Sequence, residues 1–146
     1  MDYDLIIIGA GPAGYVAAIR AGQAGLKTVV IEKKHVGGMC LNWGCIPSKA
    51  MLESAKYFSR LGMAADFGVE GLDPKSLKFS WEKGVKRSER IVRRLTKGVE
   101  YLLKKNNVET ISGTASIEAA DTVVVDNRML KAKNIIIATG SYPRPL

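Results

Sequence analysis

A glycine-rich turn near the start of the chain constrains the fold more than any other feature. Residues 9–14, with the sequence GAGPAG, match the pattern G-x-G-x-x-G. The apolar run Tyr3–Ile8 before the turn is typical of a strand buried on both faces, and the Ala-rich residues 12–24 after it predict a helix. Residues 27–31 predict a second buried strand. This order of strand, turn, helix and strand predicts a β-α-β unit that binds a dinucleotide.

Each glycine of the turn has its own physical role. Gly9 permits the tight turn, Gly11 lets the backbone approach a pyrophosphate, and Gly14 lets the helix pack closely on the strand. The start of the helix supplies unpaired N–H groups and the positive end of the helix dipole. Glu32 ends the second strand, where its carboxylate can accept hydrogen bonds from a ribose and would repel a 2′-phosphate. We therefore expect FAD or NAD here rather than an NADP-type ligand; a chance turn with Glu32 at the surface is the disfavoured alternative.

The only two cysteines, Cys40 and Cys45, follow the second strand closely. In a straight helix, residues at this separation have Cα atoms about 8–9 Å apart, whereas a disulfide needs less than about 7 Å. If the two cysteines bond, the chain between them is not a straight helix, and Gly44 and Pro47 agree with this. Cys45 then lies near the start of a helix predicted over residues 47–61, where the dipole favours its thiolate. The pair predicts reversible thiol–disulfide exchange.

Two other roles for the cysteines remain open but are disfavoured. They could be inert and buried, or they could bind zinc. A zinc site needs four ligands, and besides carboxylates the chain offers only Cys40, Cys45 and His35. We therefore expect no metal. His35, the only histidine, is expected in a loop and not as a catalytic base.

The composition agrees with one folded domain. The 146 residues are 47% hydrophobic and 25% charged, which disfavours disorder. Two cysteines are too few for a disulfide scaffold. The acidic start and the short apolar run after it fit neither a signal peptide nor a membrane span. We therefore expect a cytoplasmic location without a membrane partner, where a disulfide is more often catalytic than structural.

The net charge of +8 comes mostly from residues 83–105. Aromatic residues do not interleave with these charges as stacking platforms would, so we expect no nucleic-acid partner. A solvated helix face is the expected role, and a docking surface for an acidic partner is the alternative. The basic residues are Lys83, Lys86, Arg87, Arg90, Arg93, Arg94, Lys97, Lys104 and Lys105.

The second half of the chain predicts a long helix and then short strands. Apolar or small residues recur at alternating spacings of four and three, which predicts a helix of about 25 residues lying across a sheet, with a coiled coil as the alternative. After a loop at residues 62–74, this stripe comprises Trp81, Val85, Ser88, Val92, Leu95, Val99 and Leu102.

Beyond the long helix, the apolar period changes to two. Residues 108–111, 114–117, 122–125 and 129–130 predict a small antiparallel meander, and residues 134–138 predict a last buried strand. Residues 141–146 predict the start of a linker, because two prolines in four residues stop regular structure.

Residues 37–49, GGMCLNWGCIPSK, closely resemble the redox-active segment of the flavin disulfide reductases. The glycine turn, Glu32 and the strand end at residues 138–140 are shared with that family. The pairs at residues 41–42, 46–47 and 48–49 fit the branch that oxidises dihydrolipoamide, whereas glutathione-reductase-like and mercuric-reductase-like members tend to differ there. Met39 and Trp43 are less usual choices. The resemblance implies an α/β, Rossmann-like FAD-binding domain with a central parallel sheet, a long helix and a small antiparallel meander.

The resemblance also implies roles for individual residues. The pyrophosphate of FAD lies over residues 9–14, its ribose on Glu32 and its ring near Lys49. Cys45 faces the flavin as the charge-transfer thiolate, and Cys40 is the interchange thiol that exchanges with the substrate. Gly113 lies near the adenine end. The full implied cofactor set is Gly9, Gly11, Pro12, Ala13, Gly14, Glu32, Lys33, Gly38, Met39, Cys40, Lys49, Gly113, Thr114, Ala115, Ala138, Thr139, Gly140 and Ser141.

The resemblance covers all 146 residues but only the first part of the family's usual length. The sequence has one G-x-G-x-x-G and hence no NAD domain, and it has no interface domain with the family's His–Glu base. We therefore expect residues 1–146 to be the first FAD segment of a longer homodimeric enzyme. That enzyme would oxidise dihydrolipoamide, free or on a lipoyl domain, and reduce NAD⁺. The alternative is a binding module that holds FAD without turnover.

Overall fold

A computed structural model describes residues 1–141 and residue 144. The linker predicted at the chain end falls mainly on residues 142–143 and 145–146, which lie outside the described residues. One short 3₁₀ turn, Ala64–Phe67, lies within the predicted loop, and a second, Pro74–Ser76, begins at its last residue. The main elements are β1 (Tyr3–Ile8), α1 (Pro12–Gln23), β2 (Thr28–Glu32), α2 (Gly38–Asn42), α3 (Cys45–Gly62), α4 (Trp81–Lys105), β3 (Glu109–Ser112), β4 (Ala115–Ala119), β5 (Thr122–Val125) and β6 (Arg128–Ile137).

A six-stranded sheet in the order β3-β2-β1-β6-β5-β4 forms the centre of the molecule. The first four strands in this order run parallel, and the last two pairings are antiparallel. β1 lies in the middle, with Ile6 opposite Val29 of β2 on one side and Ile135 of β6 on the other. Its uniformly apolar sequence follows from burial on both faces. The Rossmann-like α/β class is confirmed.

The sheet has a core on each face. On one face, Leu5 and Val30 pack with Ala18 of α1 and Leu103 of α4. On the other face, Ile6 and neighbouring residues pack with the valines of β5 and the start of β6. The helices and the meander therefore cover opposite faces of the same parallel strands.

β6 was predicted as two strands, residues 129–130 and 134–138, but it is one. Its first part pairs antiparallel with β5, with Leu130 opposite Val123, and its second part pairs parallel with β1. The prediction was wrong because the polar Lys131 and Lys133 interrupt the apolar pattern of the sequence. In the structure, both side chains are exposed to solvent while the backbone continues as one extended strand. Residues 108–111 were also misassigned to the meander, since β3 pairs parallel with β2.

The long helix α4 is confirmed, but its apolar stripe is only partly buried. Val99 and Leu103 join the sheet core, whereas Trp81 is 71% exposed and Leu102 is 41% exposed. A stripe that repeats every seven residues drifts by about 20° per heptad around a straight helix. Leu103 therefore occupies the buried position predicted for Leu102. Neither α4 nor any other helix in the described part of the chain is long and apolar enough to cross a membrane.

This shift predicts a difference between two neighbouring leucines. We expect Leu103→Ala to lower the free energy of unfolding by about 2–5 kcal/mol, because it leaves a cavity in the sheet core. Leu102→Ala makes the same chemical change at a position with much more solvent, and we expect a loss of less than about 1 kcal/mol. Chemical denaturation of both variants measures the difference. Equal losses would show that the helix is rotated differently.

Candidate dinucleotide and dithiol site

Most of the predicted site residues meet at one edge of the sheet. β1, β2, β3 and β6 are parallel, so their carboxyl ends lie together, and ligands of open α/β sheets bind at that edge. The glycine turn follows β1, Glu32 ends β2, residues 113–115 follow β3, and residues 138–141 follow β6. Hydrogen bonds join neighbouring strand ends, from the Ala138 amide to the Ile8 carbonyl at 2.8 Å and from the Gly113 amide to the Glu32 carbonyl at 3.0 Å.

The three glycines of the turn differ in the space that an added side chain would find. Gly9 has a φ of +102°, and a Cβ there would lie 2.3 Å from the Ala138 oxygen. A Cβ on Gly14 would lie 1.8 Å from the Gly9 oxygen. These two positions are therefore restricted to glycine by the protein itself. At Gly11, in contrast, the nearest atom to an added Cβ is the Gly38 Cα at 3.9 Å. The space beside Gly11 is open, as close approach by a ligand requires.

The start of α1 offers unpaired backbone donors. Gly11 is the N-cap residue and provides no side-chain cap, Pro12 stands at the first helical position, and the first turn has no acidic residue. The N–H groups of Ala13 and Gly14 thus receive no capping side chain from the N-cap residue. Such a helix start favours a bound anion. Together with the open space at Gly11, it fits the pyrophosphate of a dinucleotide.

The Glu32 carboxylate joins the glycine turn to the segment that follows β2. One oxygen accepts a hydrogen bond from the Ala10 amide at 2.8 Å, and the other accepts from the Lys34 amide at 2.9 Å and the His35 amide at 3.3 Å. Ionised carboxylate oxygens can accept further hydrogen bonds, so a ribose hydroxyl remains compatible. Contact of Glu32 and of the adjacent, exposed Lys33 with a ribose stays a prediction.

The dithiol segment lies directly against the glycine turn. The Gly37 amide donates to the Ala10 carbonyl at 2.8 Å. Gly38 has a φ of +59°, and a Cβ there would lie 2.7 Å from the Gly11 Cα. The Asn42 side-chain amide donates to the carbonyls of Val36 and Gly38, at 3.0 and 2.8 Å. This positioning role of Asn42 was not predicted, although the residue belongs to the motif that carries the resemblance.

The helical structure is interrupted between the two cysteines, as the geometry of a disulfide requires. α2 ends at Asn42 and α3 begins at Cys45, two residues before the predicted start. Gly44 lies between the helices, and a Cβ there would approach the Met39 oxygen to 2.9 Å. Residues 38–42 form the short helix α2, which was not predicted from the sequence.

The two cysteines have different surroundings. Both are free thiols in this structure. Cys40 is half-buried against the core on the face of the sheet that α1 and α4 cover. Cys45 is exposed at the first position of α3. The pKa of Cys40 is raised, first by its side-chain hydrogen bond with Cys45 and then by burial, whereas Lys49 opposes the shift. When the pair has lost one proton, the remaining proton is therefore favoured on Cys40. The helix dipole of α3 favours negative charge at Cys45.

The remaining predicted residues lie around this centre. Lys49 is exposed on α3, and Met39 is exposed on α2. The His35 ring packs edge-on against Trp43 with centroids 5.3 Å apart. Across residues 1–141 and 144, no three His, Cys, Asp or Glu side chains are grouped as metal ligands.

Similarity to known proteins identifies the family of this chain. The family model described as pyridine nucleotide-disulphide oxidoreductase matches residues 3–146. The chain belongs to the pyridine nucleotide-disulphide oxidoreductase family. The membership confirms the resemblance seen in the glycine turn and the dithiol segment, and it makes this chain part of an oxidoreductase family.

Curated relatives of this chain carry the name dihydrolipoyl dehydrogenase, and three of them are described here. The protein from Acholeplasma laidlawii is 50% identical over 96% of this chain and 41% of its own length. The protein from Mycoplasma genitalium is 47% identical over 100% of this chain and 32% of its own length. The protein from Zymomonas mobilis is 44% identical over 99% of this chain and 31% of its own length. The chain thus spans 31–41% of these relatives.

The raised pKa of Cys40 predicts that replacing Cys45 changes the pH dependence of Cys40 alkylation. We expect Cys45→Ala to move the pH midpoint of Cys40 alkylation to lower pH, because the hydrogen bond and the negative charge of Cys45 are both lost. Iodoacetamide labelling followed by intact-mass analysis measures the profile. Ser48→Ala, a change in the same helical turn, is the control. An unmoved midpoint in Cys45→Ala would contradict the coupling.

Proposed function

We propose that this chain is the FAD-binding and dithiol part of an enzyme that oxidises dihydrolipoamide and passes the electrons to NAD⁺. The observation that carries the proposal is the contact between the dithiol segment and the glycine turn at Gly38 and Gly11. It puts two thiols beside a site suited to a dinucleotide pyrophosphate. The names of the relatives favour dihydrolipoamide over the substrates of glutathione-reductase-like or mercuric-reductase-like enzymes.

The residues that would hold FAD are those at the carboxyl edge of the sheet. The start of α1 would bind the pyrophosphate, and Glu32 the ribose. Residues 113–115 and 138–141 would line the rest of the cofactor, with Lys33, Met39 and Lys49 completing the set. When bound, the flavin supplies a two-electron acceptor next to the dithiol.

The chemistry of the cysteines follows from their positions. In the oxidised pair, a thiolate of dihydrolipoamide attacks the Cys40 sulfur, the Cys40–Cys45 bond breaks, and Cys45 leaves as the thiolate. Thiol–disulfide exchange favours the better-stabilised leaving group, and Cys45 stands at the positive end of α3. The second substrate thiol then attacks the substrate sulfur of the mixed disulfide, and Cys40 leaves and takes a proton. The substrate has lost two electrons and two protons, and the pair is a dithiol.

The raised pKa of Cys40 suits this sequence. Because the hydrogen bond with Cys45 favours the protonated Cys40 thiol, the product dithiol holds its proton on Cys40 and its charge on Cys45. Cys40 therefore acts toward the substrate, and Cys45 acts toward the cofactor. Reduction of NAD⁺ is proposed for the longer protein, since this sequence contains a single G-x-G-x-x-G.

The second candidate is an FAD-binding module whose dithiol exchanges without NAD⁺ turnover by these 146 residues. The single dinucleotide motif in the sequence favours it for the chain tested alone. The proposal further includes a homodimeric, cytoplasmic parent and a lipoyl domain as the substrate carrier, all on the family resemblance.

The open space at Gly11 gives a test of cofactor binding. We expect Gly11→Ala to fold normally, because an added Cβ meets nothing closer than 3.9 Å, but to weaken FAD binding by about tenfold or more by filling the space of the pyrophosphate. Gly98→Ala adds the same methyl group on α4, where nothing lies within 4 Å, and is the control. Titration with FAD, followed by visible absorption, measures both. Equal affinity in the two variants would place the cofactor elsewhere.

The assigned roles of the cysteines are tested by trapping. With a small disulfide of a monothiol, whose displaced half leaves as the free thiol, we expect Cys45→Ser to accumulate a mixed disulfide on Cys40, because neither Cys45 nor a second substrate thiol is there to displace it. We expect Cys40→Ser to accumulate much less adduct at comparable pH. Intact mass and peptide mapping identify the modified cysteine. Preferential trapping on Cys45 in Cys40→Ser would reverse the roles.

A further inference from the structure

The helices on either side of the interruption in the dithiol segment are each anchored to other parts of the fold. The Asn42 side chain, at the end of α2, donates hydrogen bonds to two backbone carbonyls, at 3.0 and 2.8 Å. In the first turn of α3, the Pro47 carbonyl accepts a hydrogen bond from the Ser88 hydroxyl of α4 at 3.4 Å. The bend between the two cysteines therefore consists of Trp43 and Gly44.

Trp43 is a large apolar residue at an exposed position of this bend. Its amide donates to the Met39 carbonyl at 3.1 Å, so its backbone continues the last turn of α2. The indole is 56% exposed, and in the described part of the chain it belongs to neither core of the sheet. Packing in the core therefore does not account for the orientation of the indole.

The contact that orients the indole is with His35. The centroids of the two rings are 5.3 Å apart and their planes are inclined at 80°, which is the edge-on arrangement that aromatic pairs prefer. His35 belongs to the segment between β2 and α2. The ring contact therefore joins the bend to the chain on the other side of α2, with Cys40 between the two.

The backbone of His35 is itself fixed. Its amide donates to the Glu32 carboxylate at 3.3 Å, and its carbonyl accepts from the Gly38 amide at 3.1 Å. The same carboxylate accepts from the Ala10 amide of the glycine turn at 2.8 Å. His35 is thus a fixed point against which the indole rests.

Freedom of the bend opposes formation of a disulfide. A Cys40–Cys45 bond confines the residues between the two cysteines, and the entropy that these residues lose weakens the bond. Gly44 belongs to the residue type with the most backbone freedom. An anchor on Trp43 removes part of this freedom before the bond forms, so less entropy is lost when the disulfide closes.

We propose that Trp43 and His35 are positioning residues for the dithiol, whose ring contact holds the bend in the form that favours a Cys40–Cys45 disulfide. The inference rests on the proposed function only for the reversible formation of that bond. Coupling between two equilibria is reciprocal, so the disulfide in turn strengthens the ring contact.

The test is the redox equilibrium between the 146-residue chain and dithiothreitol. Cys40 and Cys45 give two electrons and two protons to oxidised dithiothreitol, which becomes the dithiol, while the bond between the cysteines forms. Samples at several ratios of oxidised to reduced reagent are trapped with N-ethylmaleimide, and intact mass gives the disulfide fraction. The variants are Trp43→Ala, His35→Ala and both together. Trp43→Phe and His35→Phe keep a ring, and Trp81→Ala, at the chain's other tryptophan, is the control.

We expect Trp43→Ala and His35→Ala each to lower the equilibrium constant for disulfide formation by about two- to fivefold, because the bend regains its freedom. The double variant loses no more than either single variant, since both substitutions remove the same contact. The ring-keeping variants and Trp81→Ala stay close to the original chain. An unchanged constant in Trp43→Ala overturns the inference, and so do losses that multiply in the double variant.

A second measurement leaves both rings of the contact in place. In Trp81→Phe, Trp43 is the only tryptophan, and its fluorescence reports its own exposure. We expect acrylamide to quench this fluorescence more strongly in the dithiol chain than in the disulfide chain, because the bond strengthens the ring contact. Equal quenching in the two states overturns the inference. If the original chain forms no Cys40–Cys45 bond even with excess oxidised reagent, the proposed function fails and the inference fails with it; equal constants in all variants overturn the inference alone.

Discussion

The close backbone contact between Gly11 and Gly38 is the constraint on which the site depends. With an added Cβ on Gly38 only 2.7 Å from the Gly11 Cα, no side chain fits between the glycine turn and the dithiol segment. The hydrogen bond from Gly37 to Ala10 and the bridging carboxylate of Glu32 hold the same two segments together. The position of the thiols relative to the start of α1 is therefore set by the backbone, which leaves little freedom for the thiols to move away.

The N-termini of two helices, α1 and α3, supply the positive electrostatic potential of the site. α1 begins beside Gly11 with donors that no N-cap side chain covers, which suits a phosphate. α3 begins at Cys45, which suits a thiolate. Cys40, on the short helix between them, stays half-buried and has a raised pKa. The positive ends of two helices thus lie at neighbouring points, one beside the open space at Gly11 and one at Cys45.

The parts of this architecture that follow from local pattern could be predicted from the sequence. β1, α1 and β2 follow from uniform apolar runs around a glycine motif, and α4 follows from a repeating stripe. The carboxyl-edge site follows in turn from parallel pairing. The short helix α2 could not be predicted, because its two glycines and five-residue length give no periodic signal and long-range contacts stabilise it. The single strand β6 could not be predicted, because its apolar pattern changes at the point where its pairing changes from β5 to β1. The burial of Leu103 in place of Leu102 follows from the gradual rotation of a seven-residue stripe around a straight helix, and the sequence alone does not show which side of α4 packs on the sheet.

The shared strand β6 makes the meander and the parallel sheet one mechanical unit. Its first residues bond to β5 and its later residues bond to β1 within a single ten-residue strand. Loss of the meander would free the start of β6 and uncover the core between β5 and the central strands. Local opening in this half of the domain is therefore costly, and amide protons of β1 and β5 should exchange through the same cooperative transition. The molecule thus keeps its most cooperative part at the sheet, directly against the dithiol segment.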